Sequence, residues 1–308
     1  RRPPRSTQGV SSAASDVYKR QTPKRTCVSR SMTSATLAWV LERLGCGDRV
    51  ALASVVEASG SVPGKPGARM AVTNRGRRHG TVGGAGLELK VENHLNQMLV
   101  NGSSASRVET YVLHRDAKGQ EATALNSLCG GRVTVSLEVL EPMPHILIAG
   151  GGHCGQAIAA ACDNLGWSHS VYDIRSEYAA GDLYPNAVEN HDGDVDGFVA
   201  SLADEGFLRF SDILLLGHDW AVDQDLLIGM LRARGEELRP RIGAIGSRSK
   251  WKAFSQALID AGISQAAIDS VRCPIGIDIG AESPEEIAIA VCAEIMALEK
   301  GTLINDEN

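Results

Sequence analysis

Ile146-Leu147-Ile148-Ala149-Gly150-Gly151-Gly152-His153-Cys154-Gly155 runs from an apolar strand into a glycine turn and on into a helix. Gly150, Gly152 and Gly155 fit the spacing G-x-G-x-x-G. Glycines there permit a tight turn and a close backbone approach to a phosphate. The following helix start then offers unpaired N–H groups and the positive end of its dipole. Asp173 falls 23 residues after Gly150, at the end of the next apolar run, where such an arrangement places an acid for a ribose hydroxyl or a similar donor. Strand, triplet, helix and acid together predict a nucleotide-binding architecture. His153 sits inside the turn and is a candidate ligand contact.

Outward from this run, strands and helices alternate. Strands are expected at His145–Ala149, His169–Asp173, Ile213–Leu216 and Ile242–Ile245. Helices are expected at His153–Leu165, Asp223–Arg234, Lys250–Ala261 and Pro284–Lys300, the last opened by the capping signature Ser283-Pro284-Glu285-Glu286. The pattern predicts βαβ units and a Rossmann-like, doubly wound parallel sheet. Upstream, Glu141-Pro142-Met143-Pro144 interrupts any continuous element, because two prolines so close remove donors and restrict their neighbours. Before it lies a smaller α/β region, with a helix over 37–44, strands at 50–56, 68–73, 107–113 and 132–140, and a helix over 87–100. Ser59–Gly67 reads as a loop and Asn74-Arg75-Gly76 as a hairpin turn. The expected division is therefore a leader over 1–31, an α/β domain over 32–142, a Rossmann-like domain over 143–300 and a tail over 301–308.

The leader is Arg/Ser/Pro-rich. Its stretch Ser11–Gln21 looks like translated adaptor read-through, which makes Met32 the natural start; a transit peptide is the alternative. It also distorts the charge. The 308 residues carry a net −6, yet the first thirty hold eight Lys/Arg against one Asp, leaving −13 for the remainder. An acidic body argues against nucleic acid as a partner, since that affinity comes from basic side chains neutralising phosphates. Apolar runs fall short of the roughly 20 residues that span a bilayer, so no membrane partner is expected. Seven scattered cysteines without a C-x-x-C pair fit free thiols in a reducing, cytoplasmic setting.

Three further clusters could carry chemistry. Gly80-Thr81-Val82-Gly83-Gly84-Ala85-Gly86 opens a helix and is followed by Glu88, which suits an anion or a closely approached ligand at Gly83 and Gly84. Cys129 precedes Gly130-Gly131 on a turn from which a thiol can reach a soft metal. Gly246-Ser247-Arg248-Ser249-Lys250 repeats the strand-glycine-helix logic for a second anion, and Gly217-His218-Asp219 and Asp278-Ile279-Gly280-Ala281-Glu282 add charged loops.

These segments, in this order, resemble the XdhC/CoxI family of xanthine dehydrogenase accessory proteins. The resemblance covers about residues 48–300. It rests on Ser59-Gly60-Ser61-Val62-Pro63, Pro66–Met70, Gly80–Glu88, Cys129-Gly130-Gly131, Gly150–His153, Asp173-Ile174-Arg175, Gly217-His218-Asp219, Gly246–Lys250 and Pro274–Ile287. It implies a cytoplasmic carrier or maturation factor more than a catalyst, and no catalytic residue is singled out. Such a protein binds molybdenum cofactor (molybdopterin), supports its sulfuration by a cysteine desulfurase and passes it to an apo-xanthine dehydrogenase or related molybdenum hydroxylase. Where some members read Gly-Gly-Gly-Cys ahead of the acid, this chain has Gly86 after Ala85, which leaves Cys129 as the candidate molybdenum contact. The phosphate arm suits Gly150, Gly152 and Gly155. The guanidine-like pterin edge suits Asp173, Glu88 or Glu282, with Arg175, Ser247, Arg248 and Asp278 as further cofactor-binding candidates. A homodimer is a candidate assembly.

A rival of another class is an NAD(P)-dependent oxidoreductase using the same glycine loop and Asp173. No Tyr-x-x-x-Lys pair or other hydride-transfer site accompanies it. A non-catalytic binding module is the third reading.

Overall fold

The computed structural model describes residues 32–102, 106–113, 123–124, 130–202, 205–235 and 239–302. The leader over 1–31, Cys129 and the last six residues of the tail lie outside them.

The N-terminal half is built on a mostly antiparallel sheet. α1 (Met32–Gly45) leads to β1 (Val50–Gly60), β2 (Arg69–Thr73) and β3 (Arg78–Gly80). α2 (Ala85–Val100), β4 (Arg107–Val112), β5 (Thr123–Ala124) and β6 (Gly131–Leu140) follow. The strand order is β3-β2-β1-β6-β4-β5, with only the β4–β5 pair parallel. α2 buries Leu87, Val91, Leu95, Met98 and Leu99, the spacing of one helical face. That face packs on Ala51, Ala53 and Val55 of β1 and on Val133, Val135 and Leu137 of β6. Val50 and Leu52, which point to the opposite side of β1, pack with Val40 of α1.

Ser59 and Gly60, expected in a loop, instead extend β1 and pair with Arg132 and Gly131. Their turn-prone composition is overridden by a ladder partner that already runs alongside, across a register shift between Val55 and Glu57.

The C-terminal half alternates strand and helix, as its sequence predicts. β7 (His145–Ala149), α3 (His153–Leu165), β8 (Ser168–Tyr172), β9 (Asn190–His191), α4 (Val195–Ser201) and α5 (Glu205–Leu208) come first. β10 (Asp212–Leu215), α6 (Trp220–Arg234), β11 (Arg241–Ala244), α7 (Arg248–Asp260), α8 (Gln265–Asp269) and α9 (Pro284–Lys300) complete it. All pairs are parallel in the order β11-β10-β7-β8-β9. β7 and β10 are buried at every position, as strands covered on both faces must be. Leu147, Ala149, Ile213 and Leu215 face one layer with α4, α6 and α7, while Ile146, Ile148 and Leu214 face the other with α3 and α9. This is a doubly wound α/β sheet.

The crossover from β7 leads to β8 on one side, and β10 flanks β7 on the other. The loops leaving β7 and β10 therefore diverge and open a crevice at the carboxyl ends of the strands, the place where this architecture receives ligands. Among the described residues no helix is long and apolar enough to cross a membrane.

Candidate functional site

The four glycines of the β7–α3 turn have different reasons to be glycine. Gly150 adopts φ +125°, and a Cβ there would lie 2.6 Å from the Leu216 carbonyl carbon, so the turn presses against the exit of β10. A Cβ on Gly151 would meet the Tyr178 carbonyl oxygen at 2.0 Å, and one on Gly155 would meet the Gly150 oxygen at 2.3 Å. Gly152 is the exception, with no atom within 4 Å of its missing side chain. It is also the N-cap of α3 and supplies no side-chain cap. By contrast α4, α6, α7, α8 and α9 start on capping side chains of Asp194, Asp219, Ser247, Ser264 and Ser283. The first amides of α3 thus face open space without an oxygen from the preceding side chain, a suitable seat for an anion. His153 is exposed beside them.

Asp173 closes the base of this turn. Its Oδ2 accepts from the Gly151 N–H at 2.9 Å and from Arg175 Nη2 at 2.9 Å. Its Oδ1 accepts from the Arg175 N–H at 3.0 Å and from Arg175 Nε at 2.9 Å. Burial works against the charged form, but the Arg175 and Gly151 hydrogen bonds hold this carboxyl below the usual carboxylate range. Four donors fill the roughly four acceptor directions of a carboxylate. The donor that the sequence reserves for a ligand is provided by the protein itself. Arg175, in turn, lies over the Tyr178 ring at 3.7 Å.

Between this turn and the β10–α6 loop is a small cleft, lined among others by Gly150, Asp173, Gly217, His218, Asp219 and Asp223. Asp223, in the first turn of α6, is 1% exposed and receives Lys250 Nζ from α7 at 2.9 Å. Burial pushes its carboxyl up, while Lys250 and the Gly217 amide pull the other way. Sequence reasoning named Gly217-His218-Asp219 but passed over Asp223. Its only sequence signal is a second strand-glycine-helix junction, with Asp223 one helical turn past Asp219.

Of the predicted residues, Gly150 and Asp173 line the cleft, and Gly152, His153, Gly155 and Arg175 belong to the same turn and its supports. The others serve locally. Ser247 caps α7 by accepting from the Lys250 N–H at 3.3 Å, and Arg248 beside it is exposed. Asp278 and Glu282 are exposed, the Glu282 N–H donating to Glu286 Oε2 at 2.9 Å. In the first half, a Cβ on Gly83 would sit 2.6 Å from the Gly64 nitrogen, and one on Gly84 2.6 Å from Pro63 Cγ. Thr81 accepts from the Gly83 N–H at 3.0 Å and donates to Glu88. These glycines are explained by the turn they close over. Among the described residues no group of three His, Cys, Asp or Glu could hold a metal ion.

Residues 146–295 match the model of the XdhC Rossmann domain, and residues 44–112 match that of the XdhC and CoxI family. The chain belongs to the XdhC and CoxI family. YqeB of Escherichia coli (strain K12) is 30% identical over 268 residues, 87% of this chain and 46% of that protein. A probable xanthine dehydrogenase subunit of Bacillus subtilis (strain 168) is 28% identical over 165 residues, 53% of this chain and 46% of that one. The chain thus spans about half the length of the curated relatives it matches. A crystal structure of a xanthine dehydrogenase from Bacillus halodurans aligns over 91% of this chain and 98% of its own, at 19% identity and a TM-score of 0.45. Within the XdhC Rossmann segment fall the whole glycine turn, Asp173 with Arg175, and the Asp223–Lys250 pair. The XdhC and CoxI segment takes in the Pro63–Gly64 turn and the Gly80–Glu88 cluster that closes over it.

Proposed function

We propose that this protein binds molybdenum cofactor and acts as an accessory factor that supports the cofactor's sulfuration and its insertion into a xanthine dehydrogenase-type molybdenum hydroxylase. Family membership supports the accessory role, as does the name of the Bacillus subtilis relative. The observation that carries the binding role is the uncapped α3 start at Gly152, open to solvent beside a cleft with a carboxylate at its floor. The open α3 start supports the phosphate end of this reading. The α3 amides would hold the phosphate, and a buried acid would meet the ring's donor edge. The cofactor supplies the molybdenum chemistry of the client enzyme. The chain's part is to bind, orient and shield it, with Cys129 as the proposed soft contact and a cysteine desulfurase as the proposed sulfur source.

The oxidoreductase reading draws on the same turn. It loses its ribose acceptor here, because all four directions of Asp173 are taken by Arg175 and Gly151. Purification of the full chain from a host that makes the cofactor tests the choice. Molybdenum and oxidised-pterin fluorescence near one equivalent, with no response to NADH, is the expected result. NADH binding without either would favour the dinucleotide enzyme, and absence of all three would overturn both.

A further inference from the structure

The loop between α8 and α9 is fastened in place yet turns apolar side chains outward. The Gly276 N–H donates to Glu294 Oε2 at 3.2 Å, the Ile277 N–H to the Ala290 carbonyl at 3.2 Å, and the Glu282 N–H to Glu286 Oε2 at 2.9 Å. All three acceptors belong to α9. Gly276 and Gly280 turn the chain at φ +93° and +69°, and a Cβ on Gly276 would stand 3.2 Å from Ala290 Cβ. Ile275 enters the core at 8% exposure, but Ile277 is 39% and Ile279 58% exposed. The Ile277–Ala290 hydrogen bond brings this stretch next to Ile289 of α9, which is 62% exposed. Apolar side chains scattered singly over a surface need no explanation. Three isoleucines gathered on one tied loop and its helix form a patch of the kind that partners cover. Held in advance, the loop offers that area at little cost in lost freedom.

The charge around the patch has one sign. From Pro274 to Glu299 the chain has six acidic residues and no Lys or Arg. Glu294 and Glu299 are taken by Arg272, Arg239 and Arg241, and Glu286 by the capping box. Asp278, Glu282 and Glu285 remain, exposed and in no ion pair among the described residues. Such a rim repels nucleic acid, anionic lipid and a second copy of the same face, and it attracts Lys and Arg. Burial and the Glu285 carboxylate push up the thiol of Cys154, the second residue of α3, so the patch borders the start of that helix. A protein that takes a ligand from the α3 start would meet this face beside it. We propose that Ile277, Ile279 and Ile289, with Asp278, Glu282 and Glu285 around them, form the docking surface for the client hydroxylase, which presents to it apolar side chains ringed by Lys and Arg. The choice of partner rests on the accessory role proposed above.

Interferometry with the full chain immobilised and the apo-hydroxylase of the same source in solution tests it. Ile279→Ser with Ile289→Ser alters exposed side chains only, so circular dichroism should hold while the affinity falls by about tenfold or more. Asp278→Lys with Glu282→Lys should slow association by about tenfold and remove the weakening by salt that wild type shows. Leu41→Ser, at a side chain 70% exposed on α1, should leave binding as it is. Should the isoleucine pair fail to fold, the charge-reversed pair decides. Binding that survives both double variants overturns the proposal while the accessory role stands. An equal loss in Leu41→Ser also overturns it, since any exposed leucine would then serve as well. Light scattering that finds wild type self-associated and the isoleucine pair monomeric assigns the face to a second copy, against the proposal. No binding by wild type overturns the docking surface and the accessory role together.

Discussion

Gly152 and Gly155 stand three residues apart in one turn and should answer oppositely to an added side chain. Intrinsic propensity says that alanine in place of a helical glycine gains about 1 kcal/mol. At Gly155 a Cβ would lie 2.3 Å from the Gly150 oxygen and 3.2 Å from Ile148 Cγ2, and crowding of that kind costs about 1–3 kcal/mol. Gly155→Ala should therefore lower the urea midpoint; a rise would mean that the turn yields. At Gly152 a Cβ would meet no atom within 4 Å and φ is an ordinary −74°, so for Gly152→Val the melting temperature should stay within about 2 °C. What it should remove is copurified molybdenum, because its branches occupy the approach to the α3 amides. Molybdenum content unchanged in a folded Gly152→Val protein would end the assignment of that turn. The turn itself was legible because its glycines obey a short local spacing. The state of each acid was not. Asp173 and Asp223 differ in what fills their lone pairs, and the Lys250 that matters to Asp223 is 27 residues away.

At the scale of elements, the segments whose boundaries the sequence marks locally came out as read. β7, α3 and α9 match their expected limits residue for residue, each bounded by proline, glycine or a capping serine. Ser283 Oγ accepts from the Glu286 N–H at 3.2 Å and Glu286 Oε2 accepts from the Ser283 N–H at 3.1 Å, a reciprocal capping box. Ser283→Ala should cost about 1 kcal/mol in chemical denaturation, with no change in ligand content, since α9 packs on α3 from outside the cleft. A loss below about 0.3 kcal/mol would mean that α9 is held by packing alone. Elements whose existence depends on distant partners were harder to read. Ser59 and Gly60 become strand only because Gly131 and Arg132 lie alongside, and two-residue β9 exists only as an edge to β8.

Across the whole molecule, the two ends of the parallel sheet do different work. The carboxyl end opens into the cleft, while the amino end is tied shut by polar groups. There Asp212, the first residue of β10, is fully buried and takes Arg241 at 3.0 and 2.6 Å and Arg272 at 2.9 Å. Arg241 continues to Glu299 of α9 at 2.5 Å. His145, the first residue of β7, faces Ser170 Oγ at 2.9 Å and lies edge-on to Phe210. Burial, aided by the charge of Arg209, pushes the His145 imidazole down to about 4, and burial lowers His169 beside it as well. The folded state thus favours neutral imidazole, while the unfolded chain protonates near pH 6.5. Stability from His145 is complete above that value and is lost as pH falls from about 6.5 towards 4, because the unfolded state then binds the extra proton. At pH 5 the loss from this one residue is about 2 kcal/mol. His145→Gln keeps a hydrogen-bonding group for Ser170 but cannot titrate. Urea unfolding at pH 7 and pH 5 should therefore show wild type losing about 2 kcal/mol more than the variant between the two conditions, whatever their difference at pH 7. Equal losses would place the acid sensitivity in the carboxylates instead. Because His145 sits at the opposite end of β7 from Gly150, the variant should match wild type at pH 7 in the molybdenum content that the proposed function expects, separating the foot of the sheet that holds the fold from the end proposed to hold the ligand.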